Sequence, residues 1–150
     1  MQDPKNHLSR SVVKLWLIVG SLGALLATAV LVVVSVIFDL QPWIPIVGAV
    51  AVFALAMIVP PLRYRRWRYE IRSDDLYFSR GAFWLVRTLV PFDRIQYVET
   101  RQGPVDRTFD LHQLVVYTGA GRAGTIPGLE SDEAQLLRDQ LSKVAGAVSL

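Results

Sequence analysis

The chain has 150 residues, 52% of them hydrophobic, and a formal net charge of +3 at pH 7. It contains no cysteine, which excludes disulfides, thiol catalysis and cysteine-ligated metals. The apolar residues concentrate in the first 62 positions, leaving 88 for one small globular domain with its own core.

Residues 1–14 read as a cytoplasmic tail carrying Lys5, Arg10 and Lys14. From Leu15 to Phe38 there are 24 consecutive positions without a charge. As a helix that run covers about 36 Å, enough to cross a bilayer with some tilt. A second uncharged run of 20 residues, Trp43 to Leu62, covers about 30 Å. The apolar core of a cleaved signal peptide is shorter than the first run and is not followed at once by another span. Buried helices of water-soluble proteins are also shorter and more strongly patterned.

Only Asp39-Leu40-Gln41-Pro42 separates the two runs, so they are expected to form an antiparallel helical hairpin over residues 15–62. That loop has no Lys or Arg, whereas both outer flanks are basic. The positive-inside rule therefore predicts a multi-pass plasma-membrane protein with both termini in the cytoplasm. Trp16 and Trp43 suit the interfacial belts. Two rows of small residues on the first helix (Gly20, Ala24, Thr28; Gly23, Ala27), and Gly48, Ala51 and Ala54 on the second, offer close helix approach. Neither span holds an ionisable residue, which argues for an anchor and against an ion pathway or proton relay.

The seam runs from Pro60 to Ile71. Pro60 and Pro61 are expected to end the second span. Arg63, Arg65, Arg66 and Arg68 follow, interleaved with Tyr64, Trp67 and Tyr69. These four arginines are the candidate lipid-surface and topology residues, since each basic side chain near an anionic leaflet is worth about 1 kcal/mol. Alternation then places Arg66, Arg68 and Arg72 on one face of a strand, with Trp67, Tyr69 and Ile71 toward the core.

Residues 63–150 read as a cytoplasmic β domain. Strands are predicted at 67–71, 76–80, 85–90, 95–101, 111–118 and 125–127 from alternation and β-branched content. Ser73-Asp74-Asp75 makes a turn, Pro91 ends a strand or marks an edge, and Val105 to Asp110 reads as a turn or short helical twist. Gly119 to Gly124 reads as a flexible connection. Such spacing suits an antiparallel sandwich or partly open barrel. A last helix starts at Ser131, a good N-cap, with Asp132 and Glu133 at the positive end of its dipole. Ala134, Leu137, Leu141 and Val144 give it one apolar stripe, the pattern of a helix capping a sheet.

Chemistry-bearing patterns are sparse. From Arg63 onward 13 Lys/Arg stand against 11 Asp/Glu, without the basic stripe of a nucleic-acid-binding domain. His7 and His112 are unclustered and make a poor metal site. Asp74 and Asp75 are accounted for by their turn. Gly119 to Gly124 lacks the Gly-Lys-Ser/Thr ending of a phosphate loop and opens no helix. No nucleophile–base pair is visible, so neither an enzyme nor a cofactor is indicated.

Taken together, Trp67-Arg-Tyr-Glu-Ile71, Asp75-Leu76 with Gly81, Val90-Pro-Phe-Asp-Arg-Ile-Gln96, Gln102-Gly-Pro-Val-Asp-Arg107 and Ile126-Pro-Gly-Leu129 resemble the bacterial pleckstrin-homology-like domain of YdbS-type membrane proteins. The resemblance covers about residues 63–141, and the preceding hairpin matches the usual layout. It implies a curved β sandwich capped by a C-terminal helix, with seven strands where six are legible. The seventh is expected from a split of the Phe83–Val90 region or from a loop. Asp110 stands where the family often has glycine. The resemblance brings no catalytic residue, cofactor or defined ligand. Arg94, Gln96, Gln102 and Arg107 are the polar members of its motifs. They are expected to bond backbone carbonyls, to pair with Asp93 and Asp106, or to meet a partner. The function expected is a non-enzymatic, membrane-anchored interaction module that binds a partner protein or the anionic lipid surface. The alternative is a structural subunit of a membrane complex, packed through its spans against another protein or a second copy.

Overall fold

Each apolar run folds as one helix, and each helix extends beyond its uncharged stretch into the β domain. The computed structural model describes residues 5–148; the first four positions of the expected tail and the last two of the expected β domain lie outside them. Helix α1 is Ser11–Ile37 and α2 is Trp43–Arg66, both long and apolar enough to cross a membrane. Between them Asp39 adopts φ +49°, the left-handed conformation that closes a helix. The Leu40 N–H reaches back to the Ser35 carbonyl at 2.9 Å.

Of the two small-residue rows on α1, one is used. A Cβ on Gly20 would lie 3.4 Å from the Ala56 carbonyl, while Gly23 has nothing within 4 Å. Ala24 is buried in the same seam, and Gly48 packs against Leu31. Ala51 and Ala54 are exposed.

Pro60 and Pro61 do not end α2, contrary to expectation; it continues to Arg66. Each proline removes one backbone hydrogen bond, a loss tolerated where neighbouring packing holds the turn. Here Pro60 is buried and the Tyr64 hydroxyl donates to the Leu8 carbonyl at 3.0 Å. The Trp67 N–H closes the final turn on the Arg63 carbonyl at 3.0 Å.

The β domain is a sandwich. Its strands are β1 (Asn6–His7), β2 (Arg68–Ile71), β3 (Asp75–Arg80), β4 (Val86–Pro91), β5 (Ile95–Arg101), β6 (Leu111–Thr118) and β7 (Gly121–Glu130). One antiparallel sheet has the order β1-β2-β3-β4, the other β5-β6-β7. A 3-10 turn at Phe92–Arg94 carries the chain from edge strand β4 into the second sheet. Helix α3 (Pro104–Thr108) fills the expected twist before β6, and α4 (Ser131–Val148) caps the sandwich. The stripe lies as its spacing requires, with Ala134, Leu137 and Leu141 buried and Val144 packed against the same core.

Three further expectations change. The seventh strand is neither a split of Phe83–Val90 nor a loop: it is Asn6–His7, inside the segment read as a tail, pairing with Tyr69 and Arg68. Two polar residues carry no periodicity from which a strand can be read. Gly119 to Gly124 is not a flexible connection either, because β7 begins at Gly121 directly after the hairpin turn. Gly124 is where β7 passes the Phe78 ring: a Cβ there would meet its Cζ at 2.2 Å. Finally, the expected shared strand face of Arg66, Arg68 and Arg72 does not form: Arg66 ends α2, Arg68 lies in β2, and Arg72 follows the strand's last residue, Ile71.

The core joins the helices to the sandwich. Leu8, Val12 and Leu15 are 3%, 1% and 7% exposed and belong to the cluster of Trp67, Phe78, Leu114, Ile126 and Leu141. The Ser9 N–H donates to the Gly128 carbonyl at 3.2 Å, and Gly128 takes φ +67° directly against Val12.

Candidate membrane-surface site

The four seam arginines diverge because a helix and a strand hold them. Arg63, on the last turns of α2, lays its guanidinium 4.5 Å from the Trp16 ring centroid on α1, a cation–π contact. Arg66 donates from Nη1 to the Phe83 carbonyl at 3.2 Å and so ties the β3–β4 connection to the end of α2. Arg65 is exposed, and Arg68 lies in β2 between β1 and β3. Arg72 is engaged elsewhere, 3.4 Å from the Glu70 carboxylate and over the Tyr77 ring at 4.4 Å.

Arg63 instead meets two arginines that nothing in the seam foretells. A cleft of about 580 Å³ opens between the helices and the sandwich, lined by Arg63, Arg80 at the end of β3 and Arg122 at the start of β7. Trp16 and Val59 form its helix side, Thr125 and Gln113 its sheet side. Among the described residues no carboxylate lines it. Thr125 Oγ1 is buried there without a hydrogen-bond partner, and Gln113 turns its amide N–H to Asp106 at 2.8 Å. An apolar groove of about 260 Å³ between α1 and α2 shares Trp16, Val59 and Arg63 with the cleft and continues along Val19, Gly20 and Ala56.

Beside the cleft, residues 81–85 form the β3–β4 connection, whose Gly81 and Ala82 lie on the cleft wall. Its tip presents Phe83, Trp84 and Leu85 at 62%, 82% and 46% exposure. A contiguous apolar tip of this kind on a small domain marks a contact surface.

The bacterial PH domain family matches residues 15–145. The chain belongs to that family. It is 34% identical over 152 residues to the UPF0699 transmembrane protein YdbS of Bacillus subtilis, covering 96% of this chain and 94% of that one. It is also similar to the UPF0699 transmembrane protein YdbT of the same organism, 26% identical over 102 residues that cover 64% of this chain and 21% of the relative. No solved structure matches. The chain is therefore an integral membrane protein with two candidate spans and a PH-like domain.

In this PH-like domain the motif residues Arg94, Gln96, Gln102 and Arg107 do not converge. Arg94 and Gln96 border a shallow pocket with Thr118 and Gly119 at the start of β5. Gln102 and Arg107 lie past its far end, in and before α3. Asp106, expected as a partner for an arginine, is buried and accepts from the Gly103 N–H at 3.0 Å and from Gln113. It caps α3. Arg80 and Arg122 are the residues that sequence reasoning missed. They stand 17 and 59 positions from Arg63, and only the sandwich topology brings them together.

Proposed function

We propose that this PH-domain protein is a non-enzymatic, membrane-anchored interaction module whose β domain rests on the anionic lipid surface of the cytoplasmic leaflet. In this reading residues 15–38 and 43–62 cross the plasma membrane, residues 63–150 lie in the cytoplasm, and both termini are cytoplasmic. The observation that carries it is the Phe83-Trp84-Leu85 tip, fastened by Arg66 to the point where α2 leaves its apolar stretch. A tryptophan at that level has its preferred environment in the headgroup region. The neighbouring Arg63, Arg65, Arg66 and Arg68 add about 1 kcal/mol each near an anionic leaflet. Tethering supplies the rest, because a domain held at the surface needs little intrinsic affinity for it.

The test uses the full chain in nanodiscs, comparing phosphatidylcholine alone with mixtures containing phosphatidylglycerol. Amide hydrogen exchange over residues 81–86 is expected to slow in the anionic discs, and the difference to shrink in Arg65→Gln/Arg68→Gln. Equal exchange in both discs, with a second membrane protein co-purifying in fixed proportion from native membranes, overturns this reading in favour of a complex subunit.

A further inference from the structure

The cleft and the groove are two halves of one amphipathic site. Arg63, Arg80 and Arg122 line a single opening with no acid on its walls among the described residues. Like charges gathered this way repel, and an anion placed among them relieves that repulsion. Its volume of about 580 Å³ falls in the range of about 300–1,000 Å³ common to small-molecule sites. Guanidinium groups hold phosphate oxygens through paired N–H donors, and Thr125 Oγ1 adds an unsatisfied hydroxyl on the same wall.

A soluble phosphate would need only that half. Trp16, Val59 and Arg63, however, belong at once to the cleft and to the apolar groove between the helices. Gly20 and Ala56, where the two helices approach closely, form part of its wall, and it follows the apolar stretches of α1 and α2. A ligand with a phosphate at one end and an acyl chain at the other fits both.

We infer that this seam is a binding site for one anionic phospholipid, with its phosphate among Arg63, Arg80 and Arg122 and one acyl chain along Val19, Gly20 and Ala56. The inference rests on the lipid-surface reading above and deepens it from a leaflet to a single held molecule. A lipid bound there bridges the membrane hairpin and the β domain, since its phosphate contacts come from α2, β3 and β7.

The full-length protein in a mild, non-ionic detergent is titrated with phosphatidylglycerol, phosphatidylcholine and glycerol 3-phosphate, with retention read by native mass spectrometry and by the shift in unfolding temperature. Phosphatidylglycerol is expected to be retained at one per protein and to raise the unfolding temperature, with phosphatidylcholine weaker and glycerol 3-phosphate without effect. Arg122→Glu, at an exposed position beside the hairpin turn, is expected to weaken retention about tenfold or more, the worth of one charged hydrogen bond. Val19→Trp, on the exposed rim of the groove, is expected to weaken it by obstructing the chain, while Arg138→Gln on α4 leaves it unchanged. Retention unaffected by Arg122→Glu, or glycerol 3-phosphate acting as well as the lipid, overturns the site. If the exchange difference between nanodiscs persists in Arg122→Glu while wild-type protein retains no lipid in detergent, the held lipid is refuted and the surface reading stands.

Discussion

Asp110 holds the turn before β6 in a backbone conformation that favours glycine. Its φ of +52° is left-handed, a conformation costing an ordinary L-residue about 1–2 kcal/mol and glycine nothing. Glycine would take the turn without strain, and aspartate is among the few side chains that tolerate it. Asp110→Gly is therefore expected to leave thermal stability within about 1 kcal/mol of wild type, whereas Asp110→Val loses about 1–2 kcal/mol. Chemical denaturation in detergent measures both. Tyr69 supplies a second residue-scale test. Its phenol is buried in β2 and donates to the Glu133 carboxylate at the start of α4. Burial first, and that carboxylate second, raise its pKa well above the usual tyrosine range. The folded form thus holds its proton at pH values where the unfolded chain, with tyrosine near 10, gives it up. The contribution is complete below about pH 10 and lost as pH rises through the folded value. Tyr69→Phe is expected to cost about 1–3 kcal/mol at pH 7, where a hydrogen bond to a charged group is removed. It is also expected to flatten the loss of stability above about pH 10, read from unfolding midpoints across an alkaline series.

At the scale of elements, legibility followed the length of the pattern. Helix α4 could be read because four apolar positions repeat around a polar face, and β6 because its apolar run is long. β1 could not, because two residues hold no period; β7 was shortened because glycines that serve close packing resemble a linker. The site divides the same way. Arg63 and Arg66 sit in a run of arginines visible at a glance, while Arg80 and Arg122 become relevant only when the end of β3 and the start of β7 line one cleft with α2. Gly128 lies where this arrangement is most easily disturbed, since it joins a left-handed angle to a close approach. A Cβ there would lie 2.5 Å from Val12 Cγ2 and 2.6 Å from its Cβ. Gly128→Ala combines overpacking of about 1–3 kcal/mol with left-handed strain of about 1–2 kcal/mol. Pairing it with Val12→Ala is expected to recover only the part of the packing loss owed to Val12 Cγ2, since the Cβ contact at 2.6 Å and the strain remain. A double-mutant cycle in detergent would expose that coupling, and strictly additive losses would contradict the contact.

For the whole molecule, the absence of cysteine makes orientation directly measurable. Gln41→Cys, in the loop between the spans, is expected to react with a membrane-impermeant maleimide in intact cells, and Ser142→Cys, exposed on α4, only after permeabilisation. The reverse pattern would invert the topology. A stronger consequence concerns where the PH-like domain begins. Tethered domains are usually pictured as independent of their anchor, which predicts that residues 63–150 fold alone. Here that fragment lacks β1, which pairs with β2, and the buried side chains of Leu8, Val12 and Leu15. Each such side chain is worth about 1.5–3 kcal/mol on burial, so the three together approach the net stability of about 5–15 kcal/mol typical of a domain. The isolated fragment is expected to show a collapsed, poorly dispersed amide spectrum, while the full chain in detergent gives a dispersed one. A well-dispersed fragment spectrum would show that the helices merely carry the domain. Loss of dispersion would mean that any change in how the hairpin sits in the bilayer reaches the β sandwich through Val12 and Gly128. Anchor and domain would then respond as one body.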